Sequence, residues 1–162
     1  MSSPYIENTT ALFRYYKHLA EGAIAQVPDA QLTTVLDPRM NSIAVMMKHL
    51  SGNMLSRWTD FQTTDGEKPF RDKTAEFQNS PTTRQALLDQ WEAAWTCAFA
   101  SLATLTDADL TRTITIRAEP MSVLQAINRQ LTHCSYHVGQ MAFMAKHLTS
   151  EHWKPLKVSR GM

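Results

Sequence analysis

The chain has 162 residues, 43% of them hydrophobic, with sixteen Lys and Arg against fifteen Asp and Glu. That length suits one domain over residues 1–162 with a core of its own, and the composition is far from that of a disordered chain. A net charge of +1 leaves no electrostatic footprint for nucleic acid or an anionic membrane, and no apolar run approaches the roughly 20 residues of a membrane span.

Met1-Ser2-Ser3-Pro4 lacks a basic stretch followed by an apolar run, so no signal peptide is expected and the expected compartment is the cytoplasm. The two cysteines, Cys97 and Cys134, match no zinc or redox spacing. They read as small core residues in a reducing compartment. Five glycines, nine methionines and frequent Ala, Leu and Gln favour helix over strand.

Four helical segments follow in chain order. The first opens at Ser3-Pro4, a cap followed by proline at the first helical position, and runs to about Gln26 before Pro28. The second begins near Asn41-Ser42 and carries Ile43, Met47, Leu50, Met54, Trp58 and Phe61 on one face. The third begins near Ser80-Pro81, carries Leu87, Leu88, Trp91, Trp95, Phe99 and Leu102, and ends near Leu105. The fourth begins near Ser122, with Gln125 completing a capping box. Its apolar face reads Leu124, Ile127, Leu131, Cys134, Val138, Met141, Ala145 and Leu148.

The expected fold class is therefore all-α, a four-helix bundle. The polar connection over residues 62–79, with turn signals at Asp65-Gly66 and Pro69, is long enough to be a crossover between helices two and three. Thr111 to Arg117 alternates Thr and Ile with charged residues and reads as a short extended segment, too short to make a sheet alone. Trp58, Trp91 and Trp95 read as core.

His133 and His137 stand four residues apart on the fourth helix, so both rings share one face, one turn apart. Two such imidazoles can share a divalent ion, but a metal site needs a third ligand. At 100° per residue both lie about 80–120° from the centre of the apolar stripe. His49 is similarly offset on the second helix. Three histidines at the margins of two apolar faces can meet in the groove between those helices, although the spacing alone does not select His49 over His18, His147 or His152.

The matching stretches Asn41-Ser42-Ile43, Lys48-His49-Leu50, Gly52-Asn53-Met54, Ser56-Arg57-Trp58, Phe61 and Asp65-Gly66-Glu67-Lys68 resemble the DinB/YfiT-like superfamily of metal-binding four-helix bundles. So do Ala126-Ile127-Asn128-Arg129, His133, Tyr136-His137-Val138-Gly139-Gln140, Trp153 and Ser159-Arg160-Gly161. The chain looks most like a branch with no assigned reaction. The resemblance implies His49, His133 and His137 as ligands of a divalent ion, zinc or nickel above all, in a homodimer. Characterised relatives include thiol transferases that use bacillithiol or mycothiol and a thiol-dependent maleylpyruvate isomerase, so a low-molecular-weight thiol is an expected co-substrate.

Three neutral imidazoles leave an ion with an open position, which favours a thiol S-transferase or hydrolase of unknown small-molecule substrate. The alternative is a non-catalytic, metal-binding or stress-related dimeric scaffold. Asn53 and Arg57 lie one and two turns beyond His49 and are expected around the site. Asn53 would orient a ligand, and Arg57 would grip an anionic group or pair with Asp60 at the surface. Gln140, one turn after His137, is expected to bond a ligand or bound water. Asp65, Glu67 and Lys68 sit where they could overhang the site. No Glu lies within one turn of the histidine pair, so the zinc-protease pattern His-Glu-x-x-His is absent. Cys134 points about 100° from His133 and reads as core rather than ligand.

Overall fold

The structure is a computed structural model that describes residues 3–157. The Ser159-Arg160-Gly161 stretch of the resemblance lies outside the described residues. In chain order come α1 (Pro4–Ile24), α2 (Ile43–Trp58), a single turn α3 (Lys73–Glu76), α4 (Arg84–Ala103), β1 (Thr113–Ile116), β2 (Glu119–Ser122) and α5 (Val123–Thr149). The chain is mostly helical, as its composition predicts, with one small antiparallel sheet added.

Local chemistry sets the helix starts. Ser3 and Ser42 accept the backbone N–H groups of Ile6 and Val45, at 3.4 and 3.2 Å, and Pro4 fills the first helical position of α1. Ser122 and Gln125 form the expected capping box, its two bonds 3.1 and 2.8 Å long. The third long helix begins later than Ser80-Pro81 predicts. Thr83 is extended and its hydroxyl accepts from Ala86 N at 3.1 Å, one turn before the first buried residue, Leu87.

The four long helices pack pairwise. α2 lies most extensively against α4 and α1 against α5, while α2 also meets α5 and α1 meets α4. The core between them holds Phe13, Trp91 and Trp95, whose rings meet edge to face at 5.5–6.2 Å. Trp58 is buried as well, and Cys134 is buried while Cys97 packs half-buried against the core. The stripe of α5 departs from its predicted start: Leu124 is 36% exposed and Val123 takes the core position instead. The capping box ends the hairpin there, and the first helical residue, not the second, faces inward.

The extended segment is longer than it reads. β1 pairs with β2 in the register Thr113 to Ser122 through Ile116 to Glu119. The turn between them, Arg117-Ala118, has φ of 58° and 60°, a conformation that usually selects Gly or Asn. Neither is present, which is why the sequence hides the hairpin. The turn is held from outside by the loop that follows α2. Asp65 Oδ1 accepts from Arg117 N at 2.9 Å and Oδ2 from Ala118 N at 2.7 Å. Gly66 N donates to Thr115 O at 2.8 Å, and a Cβ on Gly66 would stand 2.8 Å from Ile116 Cγ1, so only glycine lets the loop lie this close to β1.

The backbone N–H of Glu67, followed by those of Ala118 and Arg117, holds the Asp65 carboxyl down at about 2 from an ordinary 3.8. A depressed carboxyl contributes stability that is present above its ordinary value and lost as pH falls through the folded one. Asp65→Ala is expected to lower stability by about 1 kcal/mol at pH 7, modest because the carboxylate is largely solvated. It should also remove the part of the wild type's acid destabilisation that falls between pH 3.8 and about 2. Thermal melts of both proteins across that range test this.

Candidate metal centre

α2 presents His49 and α5 presents His133 and His137, in the groove where the two helices meet. His49 and His137 are buried and His133 is half-buried. His133 Nε2 lies 3.1 Å from His49 Nε2 and 3.1 Å from His137 Nε2. The ligand atoms of the three all fall within 4.8 Å of one another. His18, His147 and His152 are exposed and outside this cluster, so the fold makes the selection that spacing leaves open.

The outward nitrogens decide how the inward ones are protonated. His49 Nδ1 lies 3.0 Å from Glu76 Oε2, and His137 Nδ1 lies 3.0 Å from Gln140 Oε1. A carboxylate and an amide carbonyl oxygen only accept, so each Nδ1 carries the proton and each Nε2 turns a lone pair inward. His133 Nε2 faces both lone pairs and can donate to one. The other is left without a hydrogen. A single cation among the three nitrogens resolves this. Two nitrogens each ~2.0–2.1 Å from one ion stand about 3.0–3.4 Å apart, the spacing of His133 Nε2 from each of the other two.

The two rings of α5 are also in the right charge state. Burial pushes His133 down to about 3, with His137, His49, Arg71 and Arg57 adding to the effect. Burial and then His49 take His137 down to about 4, against the opposing bond to Gln140. Both are neutral at pH 7, as ligation requires.

Residues 1–162 match the model of a family described as a protein of unknown function, DUF1572. The chain belongs to this DinB-like family. No curated protein and no solved structure matches it.

In this DUF1572 chain the surrounding residues divide into those that hold the cluster and those that face the space beside it. Gln140 bonds His137 through its side-chain oxygen. Arg57 is buried and does not reach Asp60. Its Nη1 donates to Gly66 O and its Nη2 to Glu67 Oε2 at 3.1 Å, because the loop after α2 folds back over the guanidinium. Asp65, Glu67 and Lys68 do not line the cavity beside the histidines: Glu67 also accepts from Arg117 Nε at 2.6 Å, and Lys68 N donates to Ser56 Oγ at 3.0 Å. Asn53 faces the cavity beside the histidines, and its amide bonds no side chain among the described residues. Cys134 is buried, bonded to Gln130, with burial pushing its thiol up to about 12, and it stands outside the histidine cluster.

Sequence reasoning misses Glu76 and Arg71. Glu76 lies 27 residues after His49 in a polar loop, and no periodicity links the two. Arg71 Nε and Nη2 grip its two oxygens at 2.8 and 2.9 Å. Burial pushes the Glu76 carboxyl up, but Arg71 and His49 outweigh it and hold it below the usual glutamate value. One signal was available in Gly52. It follows His49 by three residues, and a Cβ there would overlap Glu76 Oε1 and stand 2.8 Å from Glu76 Cδ.

Proposed function

We propose that this chain is a divalent-metal-dependent enzyme of the thiol S-transferase or hydrolase type, on a DinB-like four-helix-bundle domain. The observation that carries the reading is the convergence of three Nε2 atoms whose outward nitrogens are tied to Glu76 and Gln140. Zinc or nickel suits three neutral imidazoles. When bound, such an ion supplies a Lewis-acidic centre that lowers the pKa of a water or a thiol. The chain does the rest. His49, His133 and His137 hold the ion, and Glu76 and Gln140 fix ring orientation and tautomer. Asn53 offers a free amide to orient a substrate, and Trp58 and Phe61 keep that side of the site dry.

Openness favours chemistry over a purely structural role. Among the described residues only three ligating groups gather, and Glu76 is spent on Arg71 and His49 Nδ1. A structural zinc site is normally closed by a fourth protein ligand. A homodimer is part of the proposal. Its support is the exposed aromatic surface of α5, Tyr136 at 62% and Phe143 at 63%, with Met40 at 42%.

Cobalt substitution tests the open position. The cobalt-loaded protein is expected to gain sulfur-to-metal charge-transfer absorption when cysteine is added, and to lose it on chelation. A cobalt spectrum indifferent to thiol, azide and acetate means a closed site and leaves the scaffold reading. Sedimentation of the same sample is expected to give twice the chain mass, with Phe143→Asp returning it toward the monomer.

A further inference from the structure

The cavity beside the histidines, about 390 Å³, falls within the usual size of a small-molecule pocket. Its wall is unusual in charge. Arg57, Arg71, Lys73, Arg117 and Arg129 all line it, and no Asp or Glu does. The carboxylates behind that wall are too few for it. Glu67 alone serves Arg57 and Arg117 through one oxygen and stands 3.7 Å from Arg71 Nη1 through the other. Glu76 is shared between Arg71 and His49.

Two observations mark unmet demand for an acceptor. The Arg71 side chain is 1% exposed, yet its Nη1 has no hydrogen-bond partner. Trp58, also in the wall, is buried with its indole N–H unpaired. Lys73 and Arg129 stand at the exposed rim with no carboxylate partner among the described residues. The lining also has apolar side chains, Phe61, Ile114 and Ile116. Such a wall is costly to assemble for its own sake, because like charges repel.

We infer that the substrate or co-substrate is a small oxyanion, a carboxylate or a phosphate with an apolar body. Its charge seats against Arg129, Lys73 and the Arg117 edge, and its body lies on Phe61 and the two isoleucines. This names the substrate class of the site proposed above and rests on that reading for the reaction, but not for the binding. Guanidinium groups take carboxylate and phosphate oxygens two at a time, which fixes orientation as well as charge. The seated anion would lie beside the histidine cluster, where His49, Asn53 and His133 share the same lining.

The test is calorimetric titration of the zinc-loaded chain with two matched pairs, benzoate against benzamide and phenyl phosphate against phenol. At least one anion is expected to bind at least tenfold more tightly than its neutral partner, and more weakly as salt rises. The pair that discriminates identifies the oxyanion. The Arg129→Gln, Lys73→Gln double variant, at two exposed positions that leave the core intact, is expected to lose at least tenfold in that affinity with zinc content unchanged. Equal binding of acid and amide overturns the inference. So does no binding of either anion at about 10 mM, weaker than a small ligand in a matched pocket achieves. Anion binding that needs zinc and ignores the double variant also overturns it, since the anion then only ligates the metal. The same titration on chelated protein separates the two claims: discrimination that persists in a chain unable to take up zinc upholds the anion pocket and removes the metal reading.

Discussion

His133→Ala, purified without a nickel column, is expected to carry no stoichiometric metal, against about one ion per wild-type chain. His133 is the shared corner of the cluster, with its Nε2 3.1 Å from both other rings. Removing it takes away a donor rather than loosening one, so the loss should exceed the 10–100-fold that follows removal of an outer partner. Misfolding is a poor explanation for such a result. The residue is half-buried at the margin of α5, and its absence relieves three crowded imidazoles instead of opening the core. Thermal melts make the same point. Zinc at a hundredfold over its dissociation constant should stabilise the wild type by about 2.7 kcal/mol and leave the variant's melting point where it was. His18→Ala, exposed and away from the cluster, is the control and should retain its metal. A wild type that holds no ion and takes up none on addition sinks the proposal outright.

The success and failure of the sequence reading follow from what periodicity can carry. The helices were legible because their cap residues and apolar repeats are local: Ser42 before Ile43, Ser122 with Gln125, Trp91 with Trp95. The histidine pair was legible because four residues make one helical turn. His49 needed the family resemblance, since its partners are 84 and 88 residues away and only the packing of α2 on α5 selects it over His18. The hairpin stayed hidden because its Arg117-Ala118 turn lacks Gly or Asn and depends on Asp65, more than 50 residues earlier. For Arg57 the sequence leaves an anion grip and a surface pair with Asp60 equally open, because nothing local shows that the loop after α2 buries it under Gly66 and Glu67. What was lost in each case is a polar contact between distant segments, which leaves no repeating pattern on either one.

Glu76→Ala is expected to lower stability by about 3–5 kcal/mol and to weaken metal binding 10–100-fold. Two different bonds cause the two effects, so they can be separated. The stability loss comes from Arg71, whose side chain is 1% exposed and whose Nε and Nη2 both rest on Glu76; without it a buried guanidinium keeps its charge, loses both hydrogen bonds and is left only with Glu67, 3.7 Å from its Nη1. The affinity loss comes from His49, whose Nδ1 loses the acceptor that fixes its tautomer and ring. Replacing both partners, Arg71→Met with Glu76→Leu, removes the unpaired charge and should recover most of the stability. The metal affinity should stay low, since nothing then receives the His49 proton. If affinity returns along with stability, Glu76 acts only by holding the loop, and the carboxylate–histidine–metal arrangement is not what tunes the site. Gly52→Ala approaches the same bond from the opposite side. Its methyl group would overlap Glu76 Oε1 and force the carboxylate away from His49, while alanine in mid-helix returns up to about 1 kcal/mol of helix propensity. Because Arg71 Nε holds that same Oε1, metal affinity and stability should fall together, the first through the His49 bond and the second through the Arg71 pair; a Gly52→Ala chain that keeps both would show that the loop yields to the methyl group without moving the carboxylate.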